Sequence, residues 1–123
     1  MSKELSIVIP ILNEEKNILP LTKKIKNTIK NYKFEIIFVD DTSLDNSRKI
    51  LKKLKNKYSF FKPILRSGKR DLSKSCMNGI EKTKYKKILI MDGDLQHDPK
   101  YIPYMYKKII NNKLDIVIGT RKL

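Results

Sequence analysis

Residues 34–58 read FEIIFVDDTSLDNSRKILKKLKNKY, and this stretch predicts the fold of the chain. Its first six residues are mostly apolar and β-branched or aromatic, which favours a buried strand. Its last part places Ile50, Leu54 and Tyr58 four residues apart with lysines between them, which is the pattern of an amphipathic helix. Asp40 and Asp41 lie in the polar turn between these parts. The stretch therefore predicts one strand, an acidic turn and one helix.

The same alternation recurs along the whole chain. Strands are predicted at residues 5–10, 34–39, 63–65, 87–91 and 115–118. Helices are predicted from four apolar series with i, i+3 or i+4 spacing: Ile18, Leu21, Ile25, Ile29; Ile50, Leu54, Tyr58; Leu72, Cys76, Ile80; and Ile102, Met105, Ile109. The order β-α-β-α-β-α-β-α-β indicates an α/β fold with a mostly parallel sheet and helices on both faces. No repeat or linker interrupts the pattern, so we expect residues 1–123 to form a single domain.

Helix start signals precede three of these series. Asn13 stands before two glutamates, Ser43 or Asp45 stands before the second series, and Asp98 is followed by proline. These four residues are therefore candidate helix caps.

The chain is strongly basic, but the make-up of its charge argues against nucleic-acid readout. Lys and Arg number 28 against 13 Asp and Glu, a formal net charge of +15, and only 4 of the 28 are Arg. Bidentate recognition of phosphates and bases favours Arg. We therefore expect no specific nucleic-acid partner.

Cysteine content and hydropathy indicate the compartment. The single cysteine, Cys76, cannot form an internal disulfide and is predicted to be a small core residue, which is typical of a reducing compartment. The longest uninterrupted apolar run, at 36–39, is far shorter than the roughly 20 residues of a membrane span. No signal-peptide pattern precedes it. These features predict a cytoplasmic protein and leave open a peripheral position at the cytoplasmic face of a membrane.

Polar residues follow the end of every predicted strand. They are Asn13 and Glu14, Asp40 and Asp41, Arg66, Asp92 and Asp94, and Arg121. The carboxyl ends of parallel strands meet at one edge of a sheet, and ligands bind where the strand order reverses along that edge. We therefore expect a binding site there.

The most specific part of this edge is Asp92-Gly93-Asp94. Two carboxylates flanking a glycine in a strand-to-loop turn can bind one hard cation, and Gln96 can add an amide oxygen. His97 is a weaker candidate ligand, because hard cations prefer oxygen. A solvated acidic turn is the alternative for the tripeptide alone. The phosphoaspartyl motif of haloacid-dehalogenase-like phosphatases fits poorly, because only 29 residues follow Asp94.

The other residues of the edge have competing interpretations. Asp40 is predicted to bind a ribose hydroxyl or a base, while the polar residues after it cap the second helix. Asn13 and Glu14 either cap the first helix or contact a nucleotide. Arg66 and Arg121 are candidate contacts for a diphosphate.

Three stretches carry a resemblance to a known family. Residues 5–18 (LSIVIPILNEEKNI), 34–47 (FEIIFVDDTSLDNS) and 88–99 (ILIMDGDLQHDP) resemble family 2 glycosyltransferases, and most of all the polyprenyl (dolichol) phosphate mannose or glucose synthases. The string MDGDLQH at 91–97 is the most specific part, and VIGTR at 117–121 resembles the next motif of that branch. The resemblance covers essentially the whole chain.

This resemblance implies a Rossmann-like GT-A fold that binds a nucleotide-diphospho-sugar (a GDP- or UDP-hexose) with Mg²⁺ or Mn²⁺. It implies transfer of the hexose to a polyprenyl phosphate. By matching position, Pro10, Leu12, Glu14, Phe38 and Asp40 would line the nucleoside pocket. Asp92, Asp94 and Gln96 would hold the metal and the diphosphate as the catalytic and metal-binding set, with Gly93 against the nucleotide and Arg121 near the sugar-phosphate side.

The chain also departs from the family pattern. Leu12 stands where an aromatic residue is usual, and Thr42 stands where Gly or Asp is common. Family members continue well beyond the position of Arg121, so we expect the chain to lack the acceptor half of the domain. It is then the nucleotide-binding half of a longer enzyme or a fragmentary product.

Three functions of different classes remain open on the sequence. The first is a glycosyltransferase or its donor-binding part. The second is a non-catalytic nucleotide-sugar-binding module that needs a partner, such as a second copy paired through an unfinished sheet edge. The third is a basic surface that binds nucleic acid or anionic lipid.

Overall fold

The computed structural model describes residues 2–95 and 97–113 and the backbone of 116–118. Its elements are β1 (Glu4–Ile11), α1 (Ile18–Thr28), β2 (Lys33–Asp40), α2 (Ser47–Lys57), β3 (Ile64–Leu65), α3 (Leu72–Glu81), β4 (Ile88–Ile90), a 3₁₀ turn (Pro99–Tyr101), α4 (Ile102–Asn111) and β5 (Ile116–Ile118). The predicted order of strands and helices is confirmed.

The described strands form a five-stranded sheet in the order β3-β2-β1-β4-β5, and all of its pairings are parallel. β1 lies in the centre, with β2 on one side and β4 on the other. The chain therefore winds outward in one direction as far as β3 and then crosses back to β4. This reversal places the switch point of the sheet between the carboxyl ends of β1 and β4, where α/β folds bind ligands.

Helices cover both faces of the sheet, as the sequence predicts. Alternate residues of β1 (Leu5, Ile7, Ile9 and Ile11) enter a large core with α1, α2 and α4. Val8 points to the other face, where a smaller cluster packs against α3. This in-and-out alternation is the period of a strand whose two faces are both buried.

α3 approaches the sheet closely because it carries Gly79. A Cβ at this position would lie 2.4 Å from Cγ1 of Val8 and 3.1 Å from Cγ2 of Val39. Cys76, one turn earlier, is half-buried against the same cluster, which agrees with its prediction as a core residue. Burial, and then the negative charge of Asp92, raise the pKa of the Cys76 thiol. The thiol is therefore a packing group and not an activated nucleophile.

One helical segment begins where the sequence predicts, and another begins later than predicted. Asp98 accepts a hydrogen bond from the main-chain N–H of Lys100 and caps the 3₁₀ turn that begins at Pro99, as predicted. α1 begins only at Ile18, and Asn13 does not cap it. No helix in the described part of the chain is long and apolar enough to cross a bilayer.

Candidate functional site

A cavity of about 320 Å³ opens at the switch point of the sheet. Its lining comes from the ends of β1, β2 and β4 and from the start of α3: Pro10, Ile11, Leu12, Glu14, Asp41, Leu72, Asp92, Gly93 and Asp94. The volume falls at the lower end of the range for small-molecule sites. The predicted location of the site is thus the location of a cavity.

The β1 side of the cavity includes three residues that the sequence predicts to be there. Pro10, Leu12 and Glu14 all line it. The carboxylate of Glu14 accepts a hydrogen bond from the side-chain amide of Asn17 at 2.6 Å, which orients it at the beginning of α1. This side offers three apolar side chains, those of Pro10, Ile11 and Leu12, and one acid.

Asn13 lies between two lining residues but does not line the cavity itself. Its backbone is left-handed, with φ of 53°. Its side-chain oxygen accepts hydrogen bonds from the main-chain N–H groups of Leu44 at 2.8 Å and Asp45 at 3.4 Å. The residue therefore does not cap α1 and joins the loops that follow β1 and β2, while a nucleotide contact by Asn13 stays a prediction.

The two aspartates at the end of β2 have different places from those expected. Asp40 is completely buried beneath the cavity, where its Oδ2 accepts from the N–H of Ser43 at 2.9 Å and from Nε of Arg48 at 2.7 Å. Its Oδ1 is buried with no hydrogen-bond partner among the described residues. Asp41, for which the sequence suggested only a cap, is the one that lines the cavity. A nucleoside contact by Asp40 stays a prediction.

Asp41 is engaged within the protein by both oxygens. Oδ1 pairs with the guanidinium of Arg66, and Oδ2 accepts from the N–H of Asp71 at 2.8 Å. These contacts join the end of β2 to the residue that caps α3, since Asp71 also accepts from the N–H of Lys74 at 3.0 Å. Asp41 thereby places the start of α3 at the cavity.

Two predicted site residues lie away from the cavity lining. Arg66 does not line this cavity; its guanidinium pairs with Asp41 and donates to the hydroxyl of Ser75 at 3.2 Å. Phe38 has no exposed surface, because it stacks on Phe61 in the core with ring centroids 5.1 Å apart. Neither residue lines the cavity, and a nucleotide contact by either stays a prediction.

Leu72 is a lining residue that the sequence indicated only as a member of the third apolar helix series. It begins α3, is 65% exposed and borders the cavity. Its i+4 spacing to Cys76 suggested a buried helix face. The sequence feature that could have placed Leu72 at the cavity is its position in the first turn of the helix, beyond the end of the sheet.

The β4 side of the cavity is the acidic turn at residues 92–94. The side chain of Asp92 is half-exposed, and both Asp92 and Asp94 line the cavity. A Cβ on Gly93 would lie 2.4 Å from Cγ2 of Ile11, so the turn passes directly against the end of β1. Packing therefore requires glycine at this position, and Gly93 also lines the cavity.

The side chain of His97 hydrogen-bonds to the backbone of this turn. Its Nδ1 accepts a hydrogen bond from the N–H of Asp92 at 3.3 Å, and its side chain is only 10% exposed. Its Nε2 is buried without a partner in the part of the chain that the structure describes. The ring faces the backbone of the turn, so His97 is not placed as a metal ligand.

The family of the chain follows from comparison with known proteins. Residues 6–123 match the family described as Glycosyl transferase family 2. The chain belongs to this family. Its GT-A fold is also that of solved glycosyltransferase structures. It superposes on S. aureus TarS with a TM-score of 0.68 at 21% identity, covering 89% of this chain and 33% of that one.

A second solved structure shows the same fold. The mannosyltransferase PcManGT from Pyrobaculum calidifontis, in complex with GDP-Man and Mn²⁺, superposes with a TM-score of 0.64 at 15% identity. The match covers 76% of this chain and 28% of that one.

Two curated relatives of this family 2 chain are named for polyprenyl phosphates. It is 35% identical to a dolichol-phosphate mannosyltransferase of Pyrococcus furiosus, over 96% of this chain and 33% of the relative. It is 35% identical to a dodecaprenyl-phosphate galacturonate synthase of Rhizobium johnstonii, over 98% of this chain and 37% of the relative. The chain thus spans about a third of the length of these two relatives.

The side chains of this family 2 chain can be tested for their ability to bind a divalent cation at the cavity. Among the described residues no group of three or more His, Cys, Asp or Glu side chains gathers at one point. Two carboxylates, Asp92 and Asp94, do line one side of the cavity. Mg²⁺ and similar ions are commonly held by one or two carboxylates together with substrate phosphates and water. The residues therefore fit an ion that arrives with a diphosphate, and do not form a complete protein cage.

Two predicted site residues, Gln96 and Arg121, lie outside the described residues.

The turns around the cavity contain residues with an unusual backbone conformation. Thr42 and Leu95 both have φ of 65°, just after β2 and β4. A β-branched residue in this region is strained, and such strain concentrates at functional sites. Thr42 is also the position where the family commonly has Gly or Asp.

Proposed function

We propose that this chain binds the nucleotide-diphospho-sugar donor for transfer of a hexose to a polyprenyl phosphate. One observation carries the proposal: Asp92 and Asp94 line a cavity at the β1–β4 switch point of a family 2 glycosyltransferase chain. The relatives support the acceptor class, because two of them are named for dolichol phosphate and dodecaprenyl phosphate. Structures with this fold hold GDP-Man with Mn²⁺ and UDP-GlcNAc, which supports the donor class.

The acidic turn would hold Mg²⁺ or Mn²⁺ through Asp92 and Asp94, with Gln96 as a further oxygen donor. When bound, the cation neutralises the diphosphate and improves it as a leaving group. Without a cation, a diphosphate in this cavity would face like charge from both aspartates. The aspartates therefore make donor binding depend on the ion.

The opposite side of the cavity would hold the nucleoside. Leu12 supplies an apolar surface in place of the usual aromatic residue, and Glu14 supplies an acceptor for hydroxyl or base N–H groups. Pro10 borders the same space. Arg121 would contact the sugar-phosphate side.

The acceptor chemistry requires no general base. A polyprenyl phosphate is anionic at neutral pH, so its oxygen is already a nucleophile. That oxygen forms a bond to the anomeric carbon while the bond from this carbon to the diphosphate breaks, and the nucleoside diphosphate leaves. Since such acceptors are lipids, we place the reaction at the cytoplasmic face of a membrane.

Calorimetry on the 123-residue chain tests donor binding. UDP, GDP and their hexose derivatives are titrated with and without Mn²⁺, and we expect binding that requires the ion. Absence of binding to all of these ligands, or equal binding without metal, would contradict the proposal. A transfer assay with polyprenyl phosphate in the same preparation then distinguishes a complete transferase from a donor-binding module.

Because the chain is basic, its binding to other polyanions is the control for this experiment. Lysines spread over several helices attract polyanions without organising them, so binding to DNA or anionic vesicles should be weak and salt-sensitive. Submicromolar, sequence-selective nucleic-acid binding at about 150 mM salt would instead favour a nucleic-acid function, because specific complexes survive there.

A further inference from the structure

The loop after β1 and the loop after β2 are joined by a reciprocal set of hydrogen bonds. In one direction, three successive main-chain N–H groups donate to side chains of the β2 loop. Asn13 donates to Oγ of Ser43 at 2.8 Å, Glu14 to Oγ of Ser47 at 3.0 Å, and Glu15 to Oδ2 of Asp45 at 3.3 Å. In the other direction, the side-chain oxygen of Asn13 accepts from two main-chain N–H groups of the β2 loop. We name the set formed by Asn13, Ser43, Asp45 and Ser47 the interloop clamp.

The interloop clamp meets a physical need of this part of the chain. Since α1 begins only at Ile18, the N–H groups of residues 13–15 have no partner in a helix or a strand. Backbone N–H groups that lose water without gaining a partner are costly, so they are almost always paired. Ser43 and Ser47 are buried and supply two of the partners.

Asn13 is suited to this place by two separate properties. Its φ of 53° lies in the left-handed region, which asparagine tolerates better than most residues. Its short side chain carries an oxygen that can accept from neighbouring N–H groups. Glycine shares the first property, aspartate shares both, and alanine has neither.

The interloop clamp bears on the donor cavity through the neighbours of Asn13. Leu12 and Glu14 both line the cavity, while the side chain of Asn13 is turned to the β2 loop. The clamp also leads to Asp40, whose Oδ2 accepts from the N–H of Ser43 at 2.9 Å. Holding Asn13 in its left-handed conformation therefore sets the direction of the lining residues on either side of it.

We propose that Asn13 is a positioning residue for donor binding, which acts by orienting Leu12 and Glu14 through the interloop clamp. This inference rests on the proposed function, since the effect is on a nucleotide in that cavity. Positioning by a fixed loop matters for affinity, because a loop that must be ordered by the ligand lowers the observed binding.

Three substitutions at one position separate the two properties of Asn13. In the 123-residue chain, Asn13→Ala should weaken UDP or GDP affinity about tenfold, the scale of one to two lost hydrogen bonds. Asn13→Gly keeps the left-handed backbone and loses the acceptor, so its loss should be smaller but measurable. Asn13→Asp keeps both properties and should restore affinity to within about threefold of the unchanged chain. Rescue by aspartate is the result that a non-specific loss of stability would not produce.

Two further measurements make the test specific to the clamp. Amide hydrogen exchange should become faster at residues 13–15, 44 and 45 in the alanine and glycine variants, and stay unchanged in α4. Asn112→Ala is the matched control, because Asn112 is an exposed asparagine at the end of α4 whose amide donates to the carbonyl of Lys108. It should alter neither nucleotide affinity nor exchange at residues 13–15.

The outcomes separate this inference from the proposed function. If the unchanged chain binds UDP or GDP and Asn13→Ala binds it equally well, the positioning role is overturned and the proposed function stands. The same holds if Asn13→Asp binds as weakly as Asn13→Ala. If the unchanged chain binds no nucleotide in the presence of Mn²⁺, the proposed function fails and the positioning role fails with it.

Discussion

Two pairs of aspartates lie on either side of the central strand β1, and the surroundings of their carboxylates differ. Asp40 and Asp41 end β2, and their carboxylates are engaged by Arg48, Arg66 and main-chain N–H groups. Asp92 and Asp94 follow β4, and Asp92 is half-exposed on the cavity. Residues of one type at equivalent ends of neighbouring strands therefore have different environments.

The difference follows from what packs beside each pair. α2 brings Arg48 and the end of β3 brings Arg66 next to the aspartates of β2, and a buried carboxylate needs such partners. On the β4 side, Asp92 and Asp94 line the cavity. Internal charge pairs stabilise the fold, whereas acids on a cavity can accept a cation. Each prediction below tests one side of this comparison against the other.

The largest effect is expected on the β2 side. Asp40→Ala leaves Arg48 and the N–H of Ser43 without their acceptor, so it should lower the free energy of unfolding by about 3 kcal/mol. Urea denaturation measures this value. Asp92→Ala is the matched variant and should change it by no more than about 0.5 kcal/mol, because Asp92 is half-exposed. Equal losses from both substitutions would show that the two pairs do not differ in their structural role.

Packing on the β4 side gives the next effect. Gly93→Ala places a methyl group 2.4 Å from Cγ2 of Ile11. Overpacking of this kind should lower the free energy of unfolding by about 2 kcal/mol. Ser73→Ala, on an exposed position of α3, serves as the control and should be close to neutral. A Gly93→Ala chain as stable as the control would mean that the turn does not need its close approach to β1.

Function should depend on the β4 pair. Asp92→Asn or Asp94→Asn should weaken metal-dependent nucleotide affinity at least tenfold, about 1.4 kcal/mol, while leaving the fold intact. Calorimetry with Mn²⁺ measures the loss, and Glu81→Gln, at an exposed position at the end of α3, is the control. Unchanged affinity in both aspartate variants would remove the metal-site proposal.

The nucleoside prediction for Asp40 is examined in the same titrations. Asp40→Asn should weaken binding with and without metal alike. An effect confined to diphosphates would argue against a nucleoside contact.

The smallest effect uses Cys76 as a reporter. Burial and the charge of Asp92 raise the pKa of its thiol, so removing the charge should lower that pKa and increase the thiolate fraction at a given pH. In Asp92→Asn, alkylation of Cys76 near pH 8 should be roughly twofold faster. Mn²⁺ added with nucleotide to the unchanged chain should act in the same direction. Asp98→Asn controls for the loss of an acid whose charge is not among the causes of the Cys76 pKa shift, and an equal acceleration there would contradict the assignment.

Much of the fold could be predicted because it depends on short-range pattern. The β-branched apolar run of β1 and the i+4 spacing of Ile50 and Leu54 are local, and they predicted both the strand and the helix. Asp92, Gly93 and Asp94 were predicted as site residues from a local motif, and all three line the cavity, while their role stays a prediction. The boundaries differed by a few residues, most of all at the start of α1.

The predicted site residues that lie away from the cavity depend on contacts between distant segments. Phe38 was predicted for the pocket and lies in the core, where Phe61, from the segment beside β2, stacks on it. Arg66 was predicted for a diphosphate and pairs instead with Asp41, 25 residues earlier. Such pairings follow from the order in which strands stand side by side, which no local pattern contains.

The sequence by itself determined the alternation of strands and helices, the edge of the sheet that carries the polar residues, and the resemblance to family 2 glycosyltransferases. Those features are local because backbone preference and side-chain periodicity act over a few residues. Only the tertiary structure decided that β1 is central, that Asp41 and not Asp40 lines the cavity, and that Asn13 joins two loops. The parallel register of β1 with β2 brings segments about 30 residues apart into hydrogen-bond distance, and this register is a property of the assembled sheet.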